Sequence, residues 1–244
     1  MRNKSSFSAG TKAFFLLAGV IFFMYIAVPA QGATFNVPGT SDPWLAGMPN
    51  GTTASFNPGS GEAADVAPAQ SPVLVTGIAI TPGTMLQWSA TGQVGHPGDV
   101  AGPDGFTAVN TLHFTGAEHG ISDINVPIDS LLGVFLGINP PNLISAPSAL
   151  DFSLAGSRNY LSLSPALQQV FFMGDGVTSG SVLQTIVAPA GATRLYLGTM
   201  DGFSWNNNIG SFDVSINAVP EPFTMLLLGA GLLGLVGFRK TFTK

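Results

Sequence analysis

The chain is 244 residues long, with a formal net charge of −5, no cysteine, 31 glycines and 18 prolines. Six of its eight Lys and Arg residues sit at the two ends (Arg2, Lys4, Lys12, Arg239, Lys240 and Lys244), leaving Arg158 and Arg194 against twelve acids from Asp42 to Asp213. A middle with a charge of about −10 lacks the cations that neutralise phosphates, which excludes nucleic acid as a partner and favours a hard cation; the missing cysteine excludes disulfide and thiolate chemistry.

Arg2, Lys4 and Lys12 precede an apolar stretch from Ala13 to Val28, followed by the small residues around Pro29-Ala30-Gln31-Gly32-Ala33. A charged start, an apolar run and a small-residue cleavage site make residues 1–30 a secretory signal peptide, cut after Ala30 or Gly32, with an uncleaved anchor as the alternative. From Thr34 to Ser71 the chain is rich in Gly, Pro, Ser, Thr and Asn and reads as a loop-heavy opening with one or two strands, anchored by Trp44, Leu45 and Phe56. Ser71 to Ile80 reads as a strand leading through the turn Thr81-Pro82-Gly83-Thr84 into a second strand from Met85 to Ala90. Ser130 to Gly137 is apolar on both faces and predicts a central strand; Val170 to Met173, Val182 to Val187 and Arg194 to Met200 are further strands. Phe212, Val214 and Ile216 alternate with Ser211, Asp213 and Ser215, the pattern of a half-buried final strand. Eight or so short strands between tight turns predict an all-β domain over residues 31–218, a two-sheet antiparallel β-sandwich of jelly-roll-like form. It would lie between an N-terminal signal helix and a C-terminal transmembrane helix.

Residues 219–244 carry three signals in order. Val219-Pro220-Glu221-Pro222 is held extended by its prolines, Phe223 to Phe238 is uncharged, and Arg239-Lys240 opens a basic end. Sixteen helical residues reach about 24 Å, short of a roughly 30 Å hydrocarbon core, so flanking residues and local thinning must cover the rest. The basic end belongs in the cytoplasm. This tail resembles the PEP-CTERM sorting tail of Gram-negative bacteria; the alternative is a simple single-pass anchor. The resemblance implies an exosortase as processing partner. It also implies transient inner-membrane anchoring with a periplasmic ectodomain, then release to the cell surface or the extracellular matrix of a biofilm.

The loop from Asp201 to Gly210 is the segment with the most evident chemistry. Asp201, Asn206, Asn207 and Asn208 place one carboxylate and three carboxamides within eight positions. Ca²⁺ takes about six to eight oxygens and accepts carboxylate, amide and backbone donors together, and Asp and Asn tolerate the turn geometry that lets neighbours converge. An ordinary Asn-rich hairpin connection is the alternative. The run from Arg194 to Ile216, with Asp201, the Asn pair and Gly210-Ser211-Phe212, is similar to the end of the PA-IL-like calcium-dependent, galactose-binding lectins. Thr81-Pro82-Gly83-Thr84 through Gly92 also looks like that family, and Leu131-Leu132-Gly133-Val134-Phe135 fits it more loosely. The resemblance spans residues 43 to 216 and is strongest in its final 25.

That resemblance implies Ca²⁺ shared between protein and sugar. Asp201, Asn207 and Asn208 would give side-chain oxygens, and Ser204 and His96 backbone oxygens. Asp201, Asn207 and His119 would contact sugar hydroxyls, and Trp205 would stack on a sugar face or pack beneath the loop. The chain departs from the family in a loop one residue shorter, in His96 where the family has Tyr, and around Glu118-His119-Gly120.

Other candidates are weaker. His113, Glu118 and His119 make a poor zinc set; Asp99 to Asp104 and Gly174-Asp175-Gly176 read first as solvated turns. No nucleophile elbow or ordered Ser/His/Asp set is visible, nor any sign of paired catalytic carboxylates. The expectation is therefore a non-enzymatic exported protein binding exopolysaccharide or galactose-type glycans through calcium. A structural matrix protein without sugar binding, and a polysaccharide-active enzyme, are the alternatives.

Overall fold

The computed structural model describes residues 32–54 and 56–219. The expected signal peptide, transmembrane segment and sorting residues Pro220, Glu221, Pro222, Arg239 and Lys240 lie outside the described residues; among the described ones no helix is long and apolar enough to cross a membrane.

In chain order the strands are β1 (Gly32–Pro38), β2 (Thr53–Ala54), β3 (Asp65–Val66), β4 (Val73–Leu74), β5 (Met85–His96), β6 (Asp99–Ala101), β7 (Phe106–Leu112) and β8 (Ile124–Ile128). They continue as β9 (Leu131–Leu136), β10 (Leu150–Asp151), β11 (Ser162–Leu163), β12 (Val170–Phe172), β13 (Thr185–Val187), β14 (Arg194–Thr199) and β15 (Ile209–Val219). Among the described residues a single short α-helix, α1 (Ala155–Arg158), interrupts them. The largest sheet runs β1-β15-β5-β13-β11, with β6 added beside β5; a second runs β12-β9-β14-β4. A three-stranded sheet, β10-β8-β7, and the pair β2-β3 complete the fold. Buried side chains of the two larger sheets belong to one apolar core, consistent with the sandwich expected. The expectation of two purely antiparallel sheets needs correcting: the described residues form four sheets, and the β10–β8 and β11–β13 pairs are parallel.

β15 shows how the pattern makes the sheet. Phe212, Val214 and Ile216 are buried and face the core, opposite Val37, Phe35 and Ala33 of β1. On the outer face, Asn36 donates to Ser211 Oγ at 2.9 Å and to Asp213 Oδ1 at 3.1 Å, so the polar positions are tied across the ladder. On its other edge β15 pairs with β5 over eleven positions, from Ile209 opposite Gly95 to Val219 opposite Met85. Val219, where the expected Val-Pro-Glu-Pro segment begins, is thus the last residue of β15.

β9 is buried at every position, since β12 and β14 flank it and side chains cover both faces. Gly133 sits at its centre because a Cβ there would lie 2.6 Å from the Phe171 ring and 2.9 Å from Met173 Sδ. Gly133→Ala is therefore expected to destabilise the domain by about 1–3 kcal/mol, the usual cost of overpacking; an unchanged urea midpoint would contradict this packing.

Some expected elements differ. Of Ser71 to Ile80 only Val73–Leu74 forms a strand, β5 runs on to His96, and β6, β7 and β8 were not foreseen. Trp44 and Leu45 are fully buried anchors, whereas Phe56 is 44% exposed and anchors nothing.

Candidate functional site

Three segments meet at one end of the fold: the end of β5, the turn between β8 and β9, and the loop from β14 to β15. The loop leaves the four-stranded sheet at Met200, whose N–H donates to Ser130 O at 2.9 Å and whose carbonyl accepts the Asp129 N–H at 2.7 Å. It then enters the six-stranded sheet as β15. Between these points Ser204, fully buried, takes a left-handed φ of 62° and leads into one 3-10 turn, Trp205–Asn207. Asn207 and Asn208 donate their N–H groups to Ser204 O and Trp205 O at 3.2 and 3.1 Å. The start of such a turn leaves N–H groups without partners inside it. Asp65 of β3 accepts them, taking Trp205 N–H at 2.9 Å and Asn206 N–H at 2.8 Å, with Asn206 Nδ2 at 3.1 Å. Burial pushes the Asp65 carboxyl up to about 6 despite these donors.

The loop's oxygens fall into two groups. Asn206 is exposed, and its Nδ2 donates to Ala63 O and Asp65 Oδ1. The others face inward. Asp201 is 4% exposed; its Oδ1 accepts the Gly202 N–H at 2.6 Å, while Oδ2 is buried with no hydrogen-bond partner. Oδ1 of Asn207 and of Asn208 are also buried without partners, although Asn208 Nδ2 donates to Gly39 O at 3.3 Å. His96, at the end of β5, brings Nε2 to 3.8 Å from Asp201 Oδ2. Burial raises the Asp201 carboxyl, opposed by the Gly202 N–H, the Asn208 amide and His96. Asp201 thus lies beside Asn208 and the His96 side chain, and Asn207 follows Ser204 on the same 3-10 turn.

One further acidic residue belongs to this neighbourhood and was not foreseen. Asp129 is 2% exposed, and its Oδ1 is buried without a partner. Burial, and next the charge of Asp201, push its carboxyl up to about 7, while His96 pulls it down. Gly95 lets the β5–β6 hairpin lie against it: at φ +145° a Cβ would stand 2.4 Å from Asp99 O and 3.0 Å from Asp129 Oδ2. Each unpaired buried polar atom costs about 1–3 kcal/mol. Acceptors gathered without donors fit a hard cation, which takes up carboxylate and amide oxygens alike. Among the described residues no three His, Cys, Asp or Glu side chains form a metal-holding group, so amide and backbone oxygens would have to supply most of the donor set.

Two expected sugar contacts are not placed for that role. Trp205 is fully buried; its Nε1 donates to Thr199 O at 2.9 Å, and its ring lies 5.5 Å from Trp44 and 5.9 Å from His113. It packs beneath the loop, so stacking on a sugar is corrected here. His119, at φ 51°, has Nδ1 3.0 Å from Trp44 O, and no contact joins it to the Asp201 loop. His113 stacks on Trp44 at 3.8 Å, with Nδ1 2.6 Å from Gly116 O and Nε2 3.6 Å from Glu118. Burial lowers its pKa, opposed by the Gly116 carbonyl and by Glu118. A cleft of about 580 Å³ lies elsewhere, lined by Asp104, Arg158, Asn159 and Asp175 among others. It shares no residue with the loop, and Asp104 Oδ1 is engaged there by the Asp175 N–H at 3.1 Å.

A PEP-CTERM protein-sorting motif matches residues 218–240. It points to an exported protein processed at the membrane, with an exosortase as the processing partner. No curated protein matches the chain, and the expected likeness to lectins finds no support in this comparison.

Proposed function

We propose that this exported protein binds carbohydrate through a calcium ion held by the β14–β15 loop, and that it does so as a surface or matrix component rather than as an enzyme. The observation carrying this reading is the set of buried, unpartnered oxygens on one loop: Asp201 Oδ2, Asn207 Oδ1 and Asn208 Oδ1. Ser204 and His96 would add backbone oxygens. Calcium leaves coordination positions that vicinal sugar hydroxyls fill by replacing bound waters. Exopolysaccharide or galactose-type glycans are the partners, and delivery runs through the signal peptide, transient anchoring at the inner membrane and exosortase processing. A structural matrix protein without sugar binding is the second reading, favoured by the burial of Trp205 and the distant engagement of His119.

The test is a glycan array probed with the full-length chain in detergent, with calcium and again with chelator. Calcium-dependent capture of terminal galactosides supports the lectin reading. A blank array with a calcium-binding, folded chain supports the structural one.

A further inference from the structure

We infer that Asp129 is a ligand of the same cation site, making it a centre of two carboxylates that joins the two larger sheets. This rests on the calcium reading above and deepens it. Asp129 lies outside the loop that supplies the other side chains. It sits in the turn between β8 and β9, and its backbone N–H is fixed to Met200 O at 2.7 Å, one residue before Asp201. The carboxylate is therefore held by the backbone of the segment that carries its proposed co-ligand. Its side chain is 2% exposed, and Oδ1 meets no donor. The groups around it are Asp201 and His96, with Asp99 on the hairpin strand beyond. Among the described residues no Lys or Arg acts on either of the two buried carboxylates, whereas a divalent ion between them would balance both and take the orphaned oxygens as ligands.

The consequence is mechanical as well as chemical. Asp129 enters β9 of the four-stranded sheet, and Asn207 and Asn208 enter β15 of the six-stranded sheet. An ion held by all three fastens the end of one sheet to the start of the last strand of the other. The left-handed backbone at Asp129, φ 65°, is one that Asn also adopts readily, so Asp129→Asn removes the charge without straining the turn.

The experiment is calcium titration of the full-length chain in detergent, wild type against Asp129→Asn, followed by calorimetry. The variant is expected to bind calcium at least tenfold more weakly. Equal affinities overturn the role of Asp129 while leaving the loop site standing; a wild type that binds no calcium overturns both. Hydrogen exchange of the wild type gives a reading independent of whether the variant folds. Calcium should slow exchange at residues 128–130 as well as 201–208, and protection confined to the loop overturns the assignment.

Discussion

Asp201→Ala is expected to weaken calcium binding by more than the roughly 10–100-fold that loss of an outer-shell partner costs, while the chain stays folded. The argument is one of partners. Asp201 is buried, yet its carboxylate interacts mainly within its own loop, with the Gly202 and Phe203 N–H groups and the Asn208 amide, and with His96. Gly202 is half-buried, so water can take over that N–H, and the stability change should be about 1 kcal/mol or less. The other oxygen, Oδ2, has no hydrogen-bond partner and lies 3.8 Å from His96 Nε2. A residue with little structural work and an orphaned buried oxygen should show its effect in ligand binding. Asp201→Asn, which keeps an oxygen but not the charge, should fall between the wild type and the alanine variant. Isothermal titration checks the series; an unchanged titration in a folded alanine variant removes Asp201 from the site. Glycan capture should disappear with the calcium.

How much of this was legible in the sequence depends on how each residue signals its role. β9 and β15 were readable because burial on both faces, or on alternate positions, leaves a pattern in Leu131–Leu136 and Ser211–Ile216. β7 was not, because most of its residues are exposed and nothing alternates. β8 is five residues long and contains Pro127, which argues against a strand in sequence. β5 runs six residues past its readable half through Gly92 and Gly95, residues that suggest a turn until β15 is paired beside them. At the candidate site, the loop residues were legible because they are consecutive. Asp129 was not: one acid ahead of an apolar run looks like any turn residue, and only the Asp129–Met200 hydrogen bond brings it to Asp201. Asp65 was hidden for the same reason, since its partners are about 140 residues away. Trp205 misled in the opposite direction, because an aromatic among asparagines on a turn looks exposed.

That burial leads to the second large effect. Trp205→Ala is expected to destabilise the domain by about 3–5 kcal/mol, a large share of the roughly 5–15 kcal/mol that holds a typical domain together. The ring is wholly enclosed, flanked by Trp44 and His113, and its N–H satisfies the Thr199 carbonyl. Alanine would leave a cavity and an unpaired buried acceptor at once. Trp205→Phe refills most of the volume but leaves Thr199 O unpaired, so its loss should be smaller, about 1–3 kcal/mol. Because Trp205 anchors the turn between Ser204 and Asn207, calcium affinity should fall along with the melting temperature in both variants. An exposed platform for sugar would behave differently: glycan affinity would drop at constant melting temperature and constant calcium affinity. Thermal melting and calcium titration of the same two variants separate these outcomes, and an unshifted melt for the alanine variant would contradict the buried position of the ring.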